Sequence, residues 1–146
     1  MAFSSSGLYV PNWIDILDAT QLAIDTSLTT HKLALYTNTL TPNFSSDTAY
    51  SSTNEVSGTG YTAGGTTMGS PTTTESPTGT LAYDVADTTW SGATISSIRG
   101  GIQYADALAG NNLIVGVAFG ADYAVTAGTL TVQWASGGVY TIDLTP

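Results

Sequence analysis

The chain has 146 residues and a mass of 15.0 kDa, one domain's worth and long enough to bury one core. Two Lys/Arg against eleven Asp/Glu leave a net charge of −9, yet only 9% of residues are charged and 42% are hydrophobic, which separates the chain from acidic disordered segments. Lys32 and Arg99 are too few cations to neutralise a run of phosphates or to grip anionic lipid, so neither nucleic acid nor membrane is an expected partner; the lack of cysteine excludes disulfides, thiolate catalysis and Cys-based metal sites.

The first ten residues have neither a basic n-region nor a long apolar h-region, so no secretory signal is read there. No apolar run approaches the roughly 20 residues of a membrane helix. Within an N-terminal arm or helix (residues 1–30), the segment Asn12–Thr30 places Trp13, Leu17, Gln21, Ile24 and Leu28 at three- and four-residue steps. That spacing predicts a helix over part of Trp13–Ala23, with Asn12 as its cap and Asp15 in its first turn, or else an extended stretch.

Lys32–Thr37 reads as a strand with Leu33 and Leu35 on one face. Residues 38–79 follow, a Ser/Thr/Gly-rich excursion with Pro42, Pro71 and Pro77, read as a projecting arm with a short strand near Gly65–Met68. The core strands are expected over 80–146. They are Leu81–Val85, a short one at Thr88–Ser91, Ile95 to about Tyr104, Leu113–Phe119, and the alternating runs Leu130–Trp134 and Tyr140–Leu144. Ile98, Gly100, Ile102 and Tyr104 share one parity and Ile95 the other, which predicts a bulge near Ser96-Ser97. Gly100-Gly101 marks a bend or a close backbone approach, and Ala135–Gly138 carries a hairpin signal. The fold class is mainly β: one domain over 1–146, an antiparallel β-sandwich or barrel with a short N-terminal segment and a long loop excursion.

A catalytic site does not emerge. His31 is the only histidine, and the chain has no Gly-x-Ser-x-Gly elbow. Asp84 and Asp87, or Asp15 and Asp18, could serve as carboxylate pairs, but turn aspartates that bond nearby amides explain the first pair equally well. Oxygen ligands for calcium are available without EF-hand spacing. Gly58-Thr59-Gly60 is followed by neither lysine nor helix, so it reads as turn glycine and not as a phosphate loop. No catalytic residue, metal or cofactor is assigned. Arg99, in the middle of an apolar strand, requires a carboxylate if half-buried, with Glu55 the first choice and Asp106 or Asp122 behind it. That pair would clamp the excursion to the β core. Trp90, Trp134 and Phe119 suit a core, whereas Tyr50 and Tyr61, lying in the polar excursion, suit a contact surface.

The segment Asn54-Glu55-Val56-Ser57-Gly58-Thr59-Gly60-Tyr61-Thr62-Ala63-Gly64-Gly65 follows the strand Leu33–Thr37. After it come Trp90–Ile95, Arg99, Tyr104, Leu113-Ile114, Phe119-Gly120 and Gly128–Trp134. In this order the elements resemble a group of small tailed-bacteriophage virion structural proteins, above all capsid decoration (cement) proteins. The resemblance spans about Lys32 to Leu144. It implies a non-enzymatic component of the virion capsid surface, made in the host cytoplasm. Its partners would be the major capsid protein and other copies of itself, as a trimer. Phe3, Tyr9 and Trp13 of the arm, with Tyr50 and Tyr61, are the expected contacts, and the arm and the excursion would order on binding. The alternatives are a tail or head–tail connector protein and a carbohydrate-binding module.

Overall fold

The computed structural model describes residues 3–17, 23–76 and 79–144. The expected helix positions Asp18 and Gln21 lie outside the described residues, as do the side chains of Asp15 and Leu17. In chain order the elements are β1 (Gly7–Leu8), α1 (Val10–Leu17), β2 (Lys32–Tyr36), β3 (Gly58–Thr59), β4 (Thr66–Thr67), β5 (Thr72–Glu75), β6 (Thr80–Asp84), β7 (Thr88–Ala105), β8 (Asn112–Val132) and β9 (Tyr140–Asp143). The protein is mainly β, with two antiparallel sheets facing each other. One runs β1-β8-β7-β2-β4, with β3 also on β7, and the other runs β5-β6-β9.

The helix starts two residues before the expected cap. Pro11 is tolerated because amides of the first turn have no intrahelical partner, and the first helical bond is Trp13 N–H to the Tyr9 carbonyl at 3.2 Å. Asn12 is therefore no cap. It is buried inside the helix, and its amide donates to the Thr48 and Leu113 carbonyls at 2.7 Å each, tying α1 to the excursion and to β8.

The strands expected at Thr88–Ser91 and from Ile95 to about Tyr104 are one continuous strand, β7, whose long hairpin with β8 is the spine of the fold. Bulges keep it from being flat. Between Ile95↔Val125 and Ile98↔Tyr123, β7 advances three residues against two on β8, so the extra residue sits at Ser96-Ser97 as expected, with Ser97 at φ 60°. A larger irregularity lies on β8. From Gly100↔Ala118 to Ile98↔Tyr123 it uses five residues against two, three extra, and Gly120 turns there with φ 82°. These shifts change which face a side chain meets. Trp90, Ala93, Ile95 and Ile98 all join Leu33, Leu35, Tyr83 and Val85 between the sheets. Ile102 and Tyr104 lie on the outer face with Phe3, Tyr9, Ala34 and Tyr36, so Ile98 does not share their face as its parity predicts.

Gly100 is where the N-terminal arm enters the core. A Cβ there would stand 2.9 Å from the Phe3 ring and 2.8 Å from the Val117 carbonyl, so only glycine lets Phe3 lie flat on the sheet. The Ala135–Gly138 turn forms, with Gly138 N–H donating to the Ala135 carbonyl at 2.8 Å. The strand after it crosses to the other sheet, where β9 pairs with β6 and not with β8.

Candidate functional site

The expected clamp between Arg99 and Glu55 does not form. Arg99 Nη1 meets Asp122 Oδ1 at 3.2 Å, and its Nε–H donates to the Phe3 carbonyl at 3.2 Å. Asn38 donates to the other Asp122 oxygen at 3.0 Å. The irregularity at 119–122 carries Asp122 to this point, joining the arm, β7, β8 and the start of the excursion. Lys32 is paired as well, with Asp106 at 3.0 Å, so both cations of the chain are engaged.

Glu55 is held without any cation. Its Oε2 accepts from the Tyr50 hydroxyl at 2.6 Å. Its Oε1 accepts from the Tyr61 hydroxyl at 2.5 Å and from Gly64 N–H at 2.7 Å. Such charge-assisted bonds are the short, strong kind, and three of them can stabilise a half-buried carboxylate in place of a salt bridge. Tyr61 then passes the connection on, accepting Leu35 N–H at 2.9 Å, while the Tyr104 hydroxyl donates to the Gly64 carbonyl at 2.8 Å. Tyr50 stacks on Tyr104 with ring centroids 4.6 Å apart. Gly65, at φ 76°, lies so close to β2 that any side chain would collide with the Leu33 carbonyl. The Asn54–Gly65 motif is thus a latch closing the excursion onto β2 and β7, and the excursion lies against the sheet; it is not a projecting arm. Burial and then the Glu55 bond push the Tyr61 and Tyr50 phenols far above the ordinary tyrosine range; burial, Asp106 and Glu55 push Tyr104 up to about 12.

Of the five expected contact residues, Phe3 and Tyr9 are fully buried in this chain's own core, so they offer no surface to a partner. Trp13 is half-buried, edge-on to Tyr140 at 5.7 Å, with its indole N–H on the Ile114 carbonyl. Tyr50 and Tyr61 are half-buried in the latch. The spacing of Glu55, Tyr61 and Gly64 was visible in the sequence, but a carboxylate reads as wanting a cation, and two phenols and an amide take that place here.

The other chemical candidates are absorbed by structure. His31 is buried, its Nε2 2.8 Å from the Asp25 carbonyl. Asp84 accepts from the adjacent Val85 N–H, the local bond expected of a turn aspartate, whereas Asp87 accepts from Trp134 N–H just past the far end of β8 and not from a nearby amide. Among the described residues no group of three or more His, Asp or Glu is placed to hold a metal.

Two concave surfaces remain that single-residue patterns do not reveal. A groove of about 290 Å³ lies along the far half of the β7–β8 hairpin, lined by Ile98, Val117, Phe119, Tyr123, Leu130 and Trp134 among others. A cleft of about 510 Å³ lies on the outer face of the large sheet under residues 40–53. The site thus defines a β-sandwich with an internally latched excursion and two open surfaces. Comparison of the chain with protein-family models, curated proteins and solved structures finds no match.

Proposed function

We propose that the protein is a structural component of a tailed-bacteriophage virion, a capsid decoration protein that binds the shell and reinforces it. The observation that carries this reading beyond the sequence resemblance is the far half of the β7–β8 hairpin. Beyond Leu8↔Val115 and Gly7↔Gly116, no described strand pairs with the outer edge of β8. The only charge on β8 is Asp122, and Arg99 neutralises it. An acidic chain of −9 therefore presents one long, locally neutral, apolar-lined edge and groove. Uncovered sheet edges of this kind are templates for pairing with another chain, and proteins that stay monomeric blunt them with charge. Repeated on each copy of an oligomer, modest contacts of this kind add through avidity.

A glycan-binding platform has less support. Among the described residues Tyr123 is the only largely exposed aromatic, so they offer no row of open rings to stack on sugars. Quantitative mass spectrometry of purified virions, scaled to the major capsid protein, tests the reading. A copy number comparable to the capsid protein supports decoration. A few to a few dozen copies moves the protein to tail or connector, and absence from virions overturns the structural role.

A further inference from the structure

The end of β8 is an uninterrupted stretch of open edge. Residues 128–134 read Gly-Thr-Leu-Thr-Val-Gln-Trp, with no charge and no proline. The extra residues on β8 lie further back, at 119–122 and 126–127, where Gly120 and Ala127 have positive φ. Between Gly128 and Leu130 the extra residue is on β7, so β8 itself has no insertion from Gly128 to Val132. One side of this stretch is bonded to β7, and among the described residues no strand pairs with the other. Charge, proline and bulges are the devices that keep an edge from recruiting another chain, and residues 128–132 of β8 carry none of them. The side chains alternate cleanly. Thr129, Thr131 and Gln133 are exposed, while Leu130, Val132 and Trp134 line the groove and rest half-buried on the core.

The pattern is symmetric about Thr131. Leu130 matches Val132, Thr129 matches Gln133, and the small Gly128 matches the large Trp134. We propose that two copies of this chain pair antiparallel along this edge, about a twofold axis at Thr131, so that the large sheet continues from one copy into the next. Thr131 then faces the second copy's Thr131, and Leu130 faces the second copy's Val132; threonine pairs and apolar pairs are favourable across strands. Charge selects a second copy as the occupant. Two chains of −9 repel wherever their carboxylates meet, so they join most readily along a neutral strip. Asp122 is paired with Arg99. Asp87, which accepts Trp134 N–H at 3.1 Å, sits at the end of the stretch that meets Gly128 of the other copy, away from that copy's own Asp87. A cationic partner would gain nothing from a strip without acids. An antiparallel edge pair is isologous, so the product is a dimer, where the resemblance implies a trimer. Seven residues a side make a small interface, so the dimer should dissociate on dilution. Residues 120–124 lie outside the pair and stay exposed for a shell contact, so the dimer adds to the decoration reading without resting on it.

The experiment is sedimentation equilibrium of the isolated full chain across a concentration series. The mass should rise from monomer to dimer and stop there. Thr131→Glu sets two carboxylates face to face on the axis. The position is exposed, so the native melting temperature should be kept while dimerisation weakens about tenfold or more. Register is read by cross-linking, since the chain has no cysteine of its own. Thr131→Cys should form a covalent dimer under mild oxidation, because both kinds of antiparallel pair bring Cα atoms within disulfide reach. Thr126→Cys, equally exposed but outside the paired stretch, should stay largely monomeric. The two cysteine variants keep the proposal testable should Thr131→Glu fold poorly. A monomer at every concentration up to the millimolar range, a trimer, an undiminished dimer in Thr131→Glu, or equal cross-linking by the two cysteine variants would each overturn the pairing. Virion copy number is unaffected by any of these outcomes, so the two proposals fail separately.

Discussion

The two halves of the β7–β8 hairpin share one backbone pairing and differ in everything that covers them. In the near half, residues 100–105 of β7 are all buried, as are residues 113–116 of β8. Here β2 lies alongside β7 and β1 alongside β8, Phe3 and Tyr9 press on the outer face, and Gln103 reaches across to the Tyr83 hydroxyl of the second sheet at 2.8 Å. In the far half β7 alternates between buried and exposed residues, and residues 120–124 of β8 are all exposed. Bulges at Gly92, Ser97 and Ala127, each with positive φ, curve this half so that one face still meets the core. The contrast separates two uses of one element: a near half covered on both faces, and a far half whose inner face joins the core through Trp90, Ala93, Ile95 and Ile98 while its exposed face and β8 edge can be altered at little cost to the fold.

The sharpest way to break that contrast is to strip the near half. Phe3→Ala should cost about 3–5 kcal/mol, the usual loss for a fully buried aromatic, and removal of residues 2–11 should abolish cooperative unfolding in calorimetry. An arm that only contacted partners could be removed with no loss of stability. Next in size is the latch. Glu55→Ala leaves two hydroxyls and an amide without their acceptor and should cost about 2–3 kcal/mol in urea unfolding. Stability equal to wild type would remove Glu55 from the account of how the excursion closes.

Alkali should attack the buried tyrosines of the near half, the latch and the second sheet together. Seven tyrosines (Tyr9, Tyr36, Tyr50, Tyr61, Tyr83, Tyr104 and Tyr140) hold their protons more tightly folded than free, chiefly through burial. Below the free-tyrosine value of about 10 both states keep these protons, and the full stability is present. Above it the unfolded chain releases protons that the folded chain retains, so stability falls as pH rises toward about 12, the value for Tyr104. Each such tyrosine contributes a slope of about 1.4 kcal/mol per pH unit within its window. Absorbance at 295 nm should therefore rise together with the loss of far-ultraviolet dichroism, whereas early, separate ionisation would show that the phenols are open. Arg99→Ala should cost less, about 1 kcal/mol, because the Asp122 pair is partly solvated and the bond to the Phe3 carbonyl is single. Tyr123→Glu on the open half should change stability by less than about 0.5 kcal/mol.

Much of the strand pattern could be read from alternation, including the bulge at Ser96-Ser97 and the close approach at Gly100. Partner choice could not. Leu130–Trp134 and Tyr140–Leu144 alternate around a real turn, yet the turn signal is local, and β9 finds its pair in Tyr83 and its neighbours across the sandwich. Arg99 called for a carboxylate, but which one depends on three extra residues in β8 that move Asp122 into reach. Phe3 and Tyr9 look like loose terminal aromatics because the room made for Phe3 at Gly100 lies about a hundred residues along the chain. The cleft joins segments far apart in sequence, and the groove depends on how the bulges curve one hairpin, so neither shows in local patterns.

The most direct test sets the two halves against each other in one assay. Purified wild-type chain, Tyr123→Glu and Lys32→Ala, the last on β2 beside the near half, would be sedimented with virion shells lacking the protein, after thermal melts establish that each is folded. If the far half of the hairpin is the docking surface, wild type and Lys32→Ala co-sediment, while Tyr123→Glu melts as wild type and stays in the supernatant. Tyr123→Glu pelleting at wild-type occupancy would contradict the assignment of that surface.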